Sequence, residues 1–170
     1  LISLVGSWIQ TVAQSWLVFQ LTKSAFLLGL VGFLGSFPIF LLSLFGGVLA
    51  DRVNKRDILL FTQNAFMVLA FILAVLTQFN IITPYQIMVI AFLNGMVMAF
   101  DGPARQSMVA ELVGKEHILN AIALNSAAFN SARIIGPALA GIFIAGIGMS
   151  GCFYVNGISF FGVIAALLFI

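Results

Sequence analysis

From Ile58 to Phe100 the chain carries no formally charged residue, and the stretch from Ser24 to Ala50 is equally bare. As a helix, the first of these would extend about 65 Å at about 1.5 Å per residue, enough to cross a hydrocarbon layer of about 30 Å twice. No soluble domain of this size covers its surface while keeping such lengths free of charge. Only 7% of the 170 residues are charged and 62% are hydrophobic, where an ordinary soluble domain carries about 25% charged residues. The bilayer is therefore the expected solvent, and the chain reads as a multi-pass membrane protein.

Six apolar runs are long enough to span as helices, approximately 1–21, 25–50, 58–79, 85–109, 119–146 and 152–170. The breaks between them are "TKS", "DRVNKRD", "NIITP", "AELVGKEHI" and "GIGMSG". A membrane β-barrel would show segments of about ten residues alternating polar and apolar. These runs do not alternate, so an all-α fold is expected. The basic residues Arg52, Lys55 and Arg56 fall in the second break, and Arg105 and Lys115 lie at the fourth. The other breaks hold only Lys23. By the positive-inside rule, the second and fourth connections are cytoplasmic, and both chain ends with them. Leu1 and the closing "AALLFI" both lie inside apolar runs, which reads as a piece of a larger membrane protein.

Cys152 and His117 are each the sole residue of their type. No intrachain disulfide or Cys-rich metal site is expected, and no cofactor. There is no HExxH motif and no P-loop, so neither a zinc hydrolase nor a nucleotide-driven pump is indicated. The few basic residues form no stripe that would track a phosphate backbone, so nucleic acid is not an expected partner. The expected partners are lipid and a small-molecule substrate.

Polar groups inside hydrocarbon are costly, so they tend to face protein or a wet cavity. Ser3, Ser7, Gln10 and Gln14 recur at helical spacing in the first run; Asn94, Asp101 and Arg105 do so in the fourth; Ser126, Asn130, Arg133 and Pro137 do so in the fifth. Runs one, four and five therefore look inward, with Gln10, Gln14, Asn94, Asn130 and Arg133 as candidate cavity residues. Trp8 and Phe129 are candidates for stacking. Runs three and six look peripheral, Asn156 and Ser159 being the main polar exceptions. Arg133 cannot shed its charge and needs a partner. That partner is either Asp101, in a structural pair, or an anion in the cavity. In the second run Gly32, Ser36, Ser43 and Gly47 make a small-residue face of the kind that allows close helix approach. Pro38 and Pro137 interrupt the second helix of each half of the chain, which suggests two inverted triplets, a transporter device.

The stretch "GGVLADRVNKR" resembles the signature loop between the second and third helices of the major facilitator superfamily. Gly47, Asp51, Arg52, Lys55 and Arg56 match it, and Asn54 stands where a glycine is usual. "ARIIGPALAG" resembles the fifth-helix motif of the superfamily's antiporters, with Gly136, Pro137 and Gly141 matching and Ala140 departing. The stretch from "DGPARQ" through that motif is similar to the bacterial subgroup that includes the enterobactin exporter and macrolide-efflux-like proteins. The resemblance implies a twelve-helix fold in two halves, this chain being the N-terminal one and the C-terminal half lying outside it. It implies a secondary exporter of the bacterial inner membrane, moving a siderophore or drug against protons by alternating access. The charged loop would then act as a cytoplasmic latch, with Asp51 near Arg52, Lys55, Arg56 and Asp101. An importer of the same fold, or a membrane-embedded assembly protein whose charges serve topology alone, are the alternative readings. No catalytic residue is expected.

Overall fold

The computed structural model describes residues 2–169. The expected span ends at Leu1 and Ile170, and the side chain of Lys115, lie outside the described residues. Four helices follow one another: α1 (Ile2–Thr22), α2 (Ala25–Arg52), α3 (Lys55–Gln78) and α4 (Pro84–Leu168). Among the described residues there is no strand, as the lack of alternation required.

Each start has a local cause. Ser24 caps α2, its hydroxyl accepting from the Leu27 amide. Asn54 caps α3, its side-chain oxygen accepting from the Arg56 amide at 3.0 Å. Thr83 and Gln86 form a reciprocal capping box ahead of Pro84, which satisfies two orphan amides at the start of α4. These caps correct the sequence boundaries. The charged stretch expected as a seven-residue connection is almost wholly helical. Asp51 and Arg52 close α2, Lys55, Arg56 and Asp57 open α3, and only Val53 and Asn54 lie between.

Two glycines divide α4. Gly114 (φ 70°, ψ 168°) and Gly148 (φ 74°, ψ 177°) adopt extended backbone at positive φ inside it, a region essentially confined to glycine. The expected fourth and fifth connections are therefore sharp breaks centred on single glycines, which divide α4 into separate helices. Stretches 84–113, 115–147 and 149–168 result.

By length and apolarity, Ala25–Arg52, Lys55–Gln78, Pro84–Gly114 and Glu116–Leu168 each suffice to cross a membrane. The last has 53 residues and would measure about 80 Å if straight, far more than one crossing needs, and Gly148 is where it breaks. α1 is not among the four, and Gln10, Gln14, Gln20 and its hydroxyl residues dilute its apolar face. Only 11% of the most apolar window of α2 is buried, and Phe26, Phe40 and Leu44 project from it. A bilayer tolerates this exposure where water does not.

α1, α2 and α3 each pack on α4 and barely on one another. The main core joins Ile9, Ala13 and Leu17 of α1, Leu73 of α3, and Ile87 and Phe153 of α4. A smaller core lies at the charged end, where Ala50, Ile58, Leu59, Ala104, Met108 and Leu167 meet. The approach of α2 to α4 depends on glycine. Gly46 faces the Ala99 carbonyl, and Gly95 faces the Gly35 carbonyl beside the Pro38 ring. The packing glycines of α2 are thus Gly35 and Gly46. The small-residue face expected to pack does not: a Cβ at Gly32 or Gly47 would meet nothing within 4 Å.

Candidate functional site

At the charged end, three contacts tie the helices together. Lys55 Nζ lies 2.7 Å from Glu111 Oε1, joining the first turn of α3 to stretch 84–113. Arg56 donates to the carbonyls of Leu167 at 2.7 Å and Leu168 at 2.9 Å, so a cation sits on the free carbonyls and negative dipole end of α4. Asp101, 3% exposed, gathers the third contact. Its Oδ1 accepts from Thr62 Oγ1 and Gln63 Nε2, both at 2.7 Å. Its Oδ2 accepts from Arg105 Nε at 3.1 Å and NH2 at 3.0 Å. The carboxylate thus pins α3 to α4. Gln63 Oε1 is buried with no hydrogen-bond partner among the described residues.

Asp51 and Arg52 are exposed at the end of α2 and make no ion pair among the described residues. Gly47, one turn earlier, borders open space. Lys55, expected near Asp51, pairs instead with Glu111. A recess of about 310 Å³ beside this pair is lined by Asn54, Lys55, Arg56, Met108, Glu111 and Leu112.

The second polar region lies where α1 meets stretch 115–147. Gly136 is buried against the Trp8 Cβ, with the Val5 carbonyl 3.2 Å from where a Cβ would sit, so the two backbones run close together. Arg133, one turn before, is exposed, its guanidinium carbon 6.0 Å from the centre of the Trp8 ring. Phe129 meets the same ring edge-on at 5.9 Å. The Arg133–Asp101 pair considered from sequence does not form. Asp101 is taken by Arg105 on its own helix, and Arg133 makes no ion pair or hydrogen bond among the described residues.

From Trp8 an open groove of about 420 Å³ runs along α1, walled by Trp16, Phe19, Leu28 and Pro137. Asn130 is exposed on the same stretch as Arg133, its amide donating to the Ser126 carbonyl at 2.8 Å. Gln14 and Asn94 are half-buried, and Gly141 borders open space. Gln10 is set apart from the open face: its Oε1 accepts from Asn156 Nδ2 at 2.7 Å in a buried pair between α1 and stretch 149–168.

Thr62 and Gln63 are the polar residues that the sequence reading passed over. The signal was present in "LLFTQNAFM", where three adjacent polar residues interrupt an apolar run.

The chain matches the family described as transmembrane secretion effector, of the major facilitator type, over residues 1–170. It belongs to that family. It is also 33% identical over 120 residues to the Staphyloferrin A transporter of Staphylococcus aureus (strain NCTC 8325 / PS 47). That match covers 70% of this chain and 30% of the transporter. Family and relative are both transporters, which accords with a non-enzymatic role. No solved structure matches the chain.

Proposed function

We propose that the chain forms the N-terminal half of a twelve-helix exporter, contributing six membrane crossings. The three stretches of α4 supply three of them and α1 to α3 the others. The exporter works by alternating access and draws on the proton gradient to expel a small amphipathic molecule, a siderophore or a drug. The relative's substrate points to the siderophore. The protein resides in the bacterial inner membrane with its charged end in the cytoplasm, as the basic residues at Arg52, Lys55, Arg56 and Arg105 favour.

One observation carries this reading. Arg133 is exposed and makes no ion pair or hydrogen bond among the described residues, on a stretch otherwise suited to hydrocarbon. Neither lipid nor the chain's own core satisfies its charge, whereas a water-filled path between two halves does. At the charged end, Asp51 and Gly47 are left over from internal packing and are the surfaces offered to the second half. A carboxylate there accepts charge-assisted hydrogen bonds and closes the cytoplasmic side. Lys55, Arg56 and Asp101 act within this half, holding α3 and the end of α4 so that the latch has a rigid base.

The test is flux through the full-length protein in proteoliposomes under an imposed pH gradient, with an anionic siderophore and a macrolide as cargo. Gradient-driven export of at least one is expected. Asp51→Asn should slow it by roughly tenfold, a coupling loss of ordinary size for a conformational contact. Export indifferent to the gradient, or unchanged in the variant, would remove proton coupling or the latch from the account.

A further inference from the structure

We infer that the groove along α1 and the guanidinium of Arg133 form one binding site, built for an amphipathic organic anion. The inference rests on the transport reading, in which this groove borders the path.

The two parts are physically continuous. Trp8 lines the groove and also carries Arg133 against its ring. Pro137 lines it too and follows Arg133 by one helical turn. The groove extends from Trp8 to Phe19, eleven residues and about 16 Å of helix. Its walls are aromatic and aliphatic, so they suit an elongated apolar body. Its hydroxyls are already committed: Thr11 Oγ1 donates to the Ser7 carbonyl at 2.9 Å, and Ser15 Oγ to the Thr11 carbonyl at 2.8 Å.

Two cations border the groove among the described residues: Arg133 beside Trp8 at one end, and Lys23, its Nζ 5.7 Å from the centre of the Phe19 ring, at the other; of the two, Arg133 alone offers a fork of donors. Its fork is planar, permanently charged and shaped for a carboxylate, phosphate or sulfonate. Trp8 lies against the guanidinium and Phe129 against Trp8, which biases the side chain toward the groove. A ligand with its acidic group at Arg133 and its apolar body toward Trp16 and Phe19 satisfies both ends.

The test uses full-length protein in lipid nanodiscs, with empty nanodiscs as background. Two fluorescent probes share an anilinonaphthalene body: 8-anilino-1-naphthalenesulfonate is anionic, and N-phenyl-1-naphthylamine is uncharged. Binding is followed by energy transfer from tryptophan. Arg133→Gln should weaken the anionic probe by roughly tenfold or more, the ordinary size for a lost charge-assisted contact, and leave the neutral probe within about twofold. Arg133→Lys should fall between, keeping the charge but losing the fork. Trp8→Phe should reduce the energy-transfer signal for both probes.

Equal loss of both probes in Arg133→Gln would assign the arginine a purely structural role and overturn the inference. So would unchanged binding of the anionic probe, the result expected if a carboxylate elsewhere in the full chain occupies the guanidinium. Failure of either probe to bind the unaltered protein would overturn it as well. Because binding is read without flux, absent transport with intact discrimination would sink the exporter reading alone.

Discussion

Replacing Asp101 with alanine is expected to destabilise the helical bundle by about 1–3 kcal/mol, read as a lowered unfolding midpoint of the full-length protein in detergent. The reasoning starts from what the carboxylate leaves behind. Thr62 and Gln63 are each 1% exposed and both donate to Asp101 Oδ1. Without it Gln63 Nε2 is a buried unsatisfied donor, at about 1–3 kcal/mol, whereas the Thr62 hydroxyl keeps the Leu59 carbonyl at 3.1 Å as acceptor. Arg105 adds less, because its side chain is 38% exposed and reaches solvent when released. Asp101→Asn keeps one acceptor oxygen and should cost less than half as much. Combining Asp101→Leu with Thr62→Val and Gln63→Leu removes the buried polar groups together and should recover most of the loss, since apolar replacement of a whole buried polar group is often neutral. A midpoint unmoved by Asp101→Ala would mean that α3 is held to α4 by apolar packing alone.

The second large effect is expected at Gly95. A Cβ there would overlap the Gly35 carbonyl and lie 3.2 Å from Pro38 Cδ. Both obstacles belong to the α2 backbone or to a ring fixed on it, so neither swings aside as a flexible side chain would. Gly95→Val must push α2 away and loosen the Gly46–Ala99 contact, one turn further along α4 and about three turns further along α2. The expected cost is about 2–3 kcal/mol, at the upper end of overpacking. Gly162→Ala is the control. A Cβ there meets nothing within 4 Å, and alanine favours helix by about 1 kcal/mol, so its midpoint should hold or rise. Equal effects of the two substitutions would show that α2 does not approach α4 through its glycines.

Apolar run length carried the all-helical membrane reading, because the hydrocarbon core sets a minimum span that composition alone reveals. The ends of those runs were less legible. Asn54 was read as a mild departure from a glycine, yet it caps α3 and draws Lys55, Arg56 and Asp57 into the helix. Helical periodicity finds a stripe without naming its neighbour. It placed Gln10 with the cavity residues, whereas a buried bond to Asn156 holds it inside. It chose Gly32 and Gly47 over Gly35 and Gly46. One residue turns a helix by about 100°, so a stripe displaced by one position faces elsewhere. Asp101 and Arg133 were each recognisable as residues in need of a partner. That Asp101 meets Thr62 and Gln63, and Arg133 meets Trp8, depends on how α1 and α3 lie against α4, which no local spacing encodes.

Cysteine accessibility of the full-length protein in its native membrane tests the central claim most directly. Cys152 is buried and is first replaced by serine. Single cysteines then go to Thr11, Asn130, Phe61 and Ile158, all exposed on this chain, so they differ only in what covers them. A hydrophilic, membrane-impermeant maleimide should modify Thr11→Cys and Asn130→Cys, with substrate protecting both, and leave Phe61→Cys and Ile158→Cys unreacted within lipid. Modification of all four alike, or of none, would contradict a water-lined path along α1 and stretch 115–147.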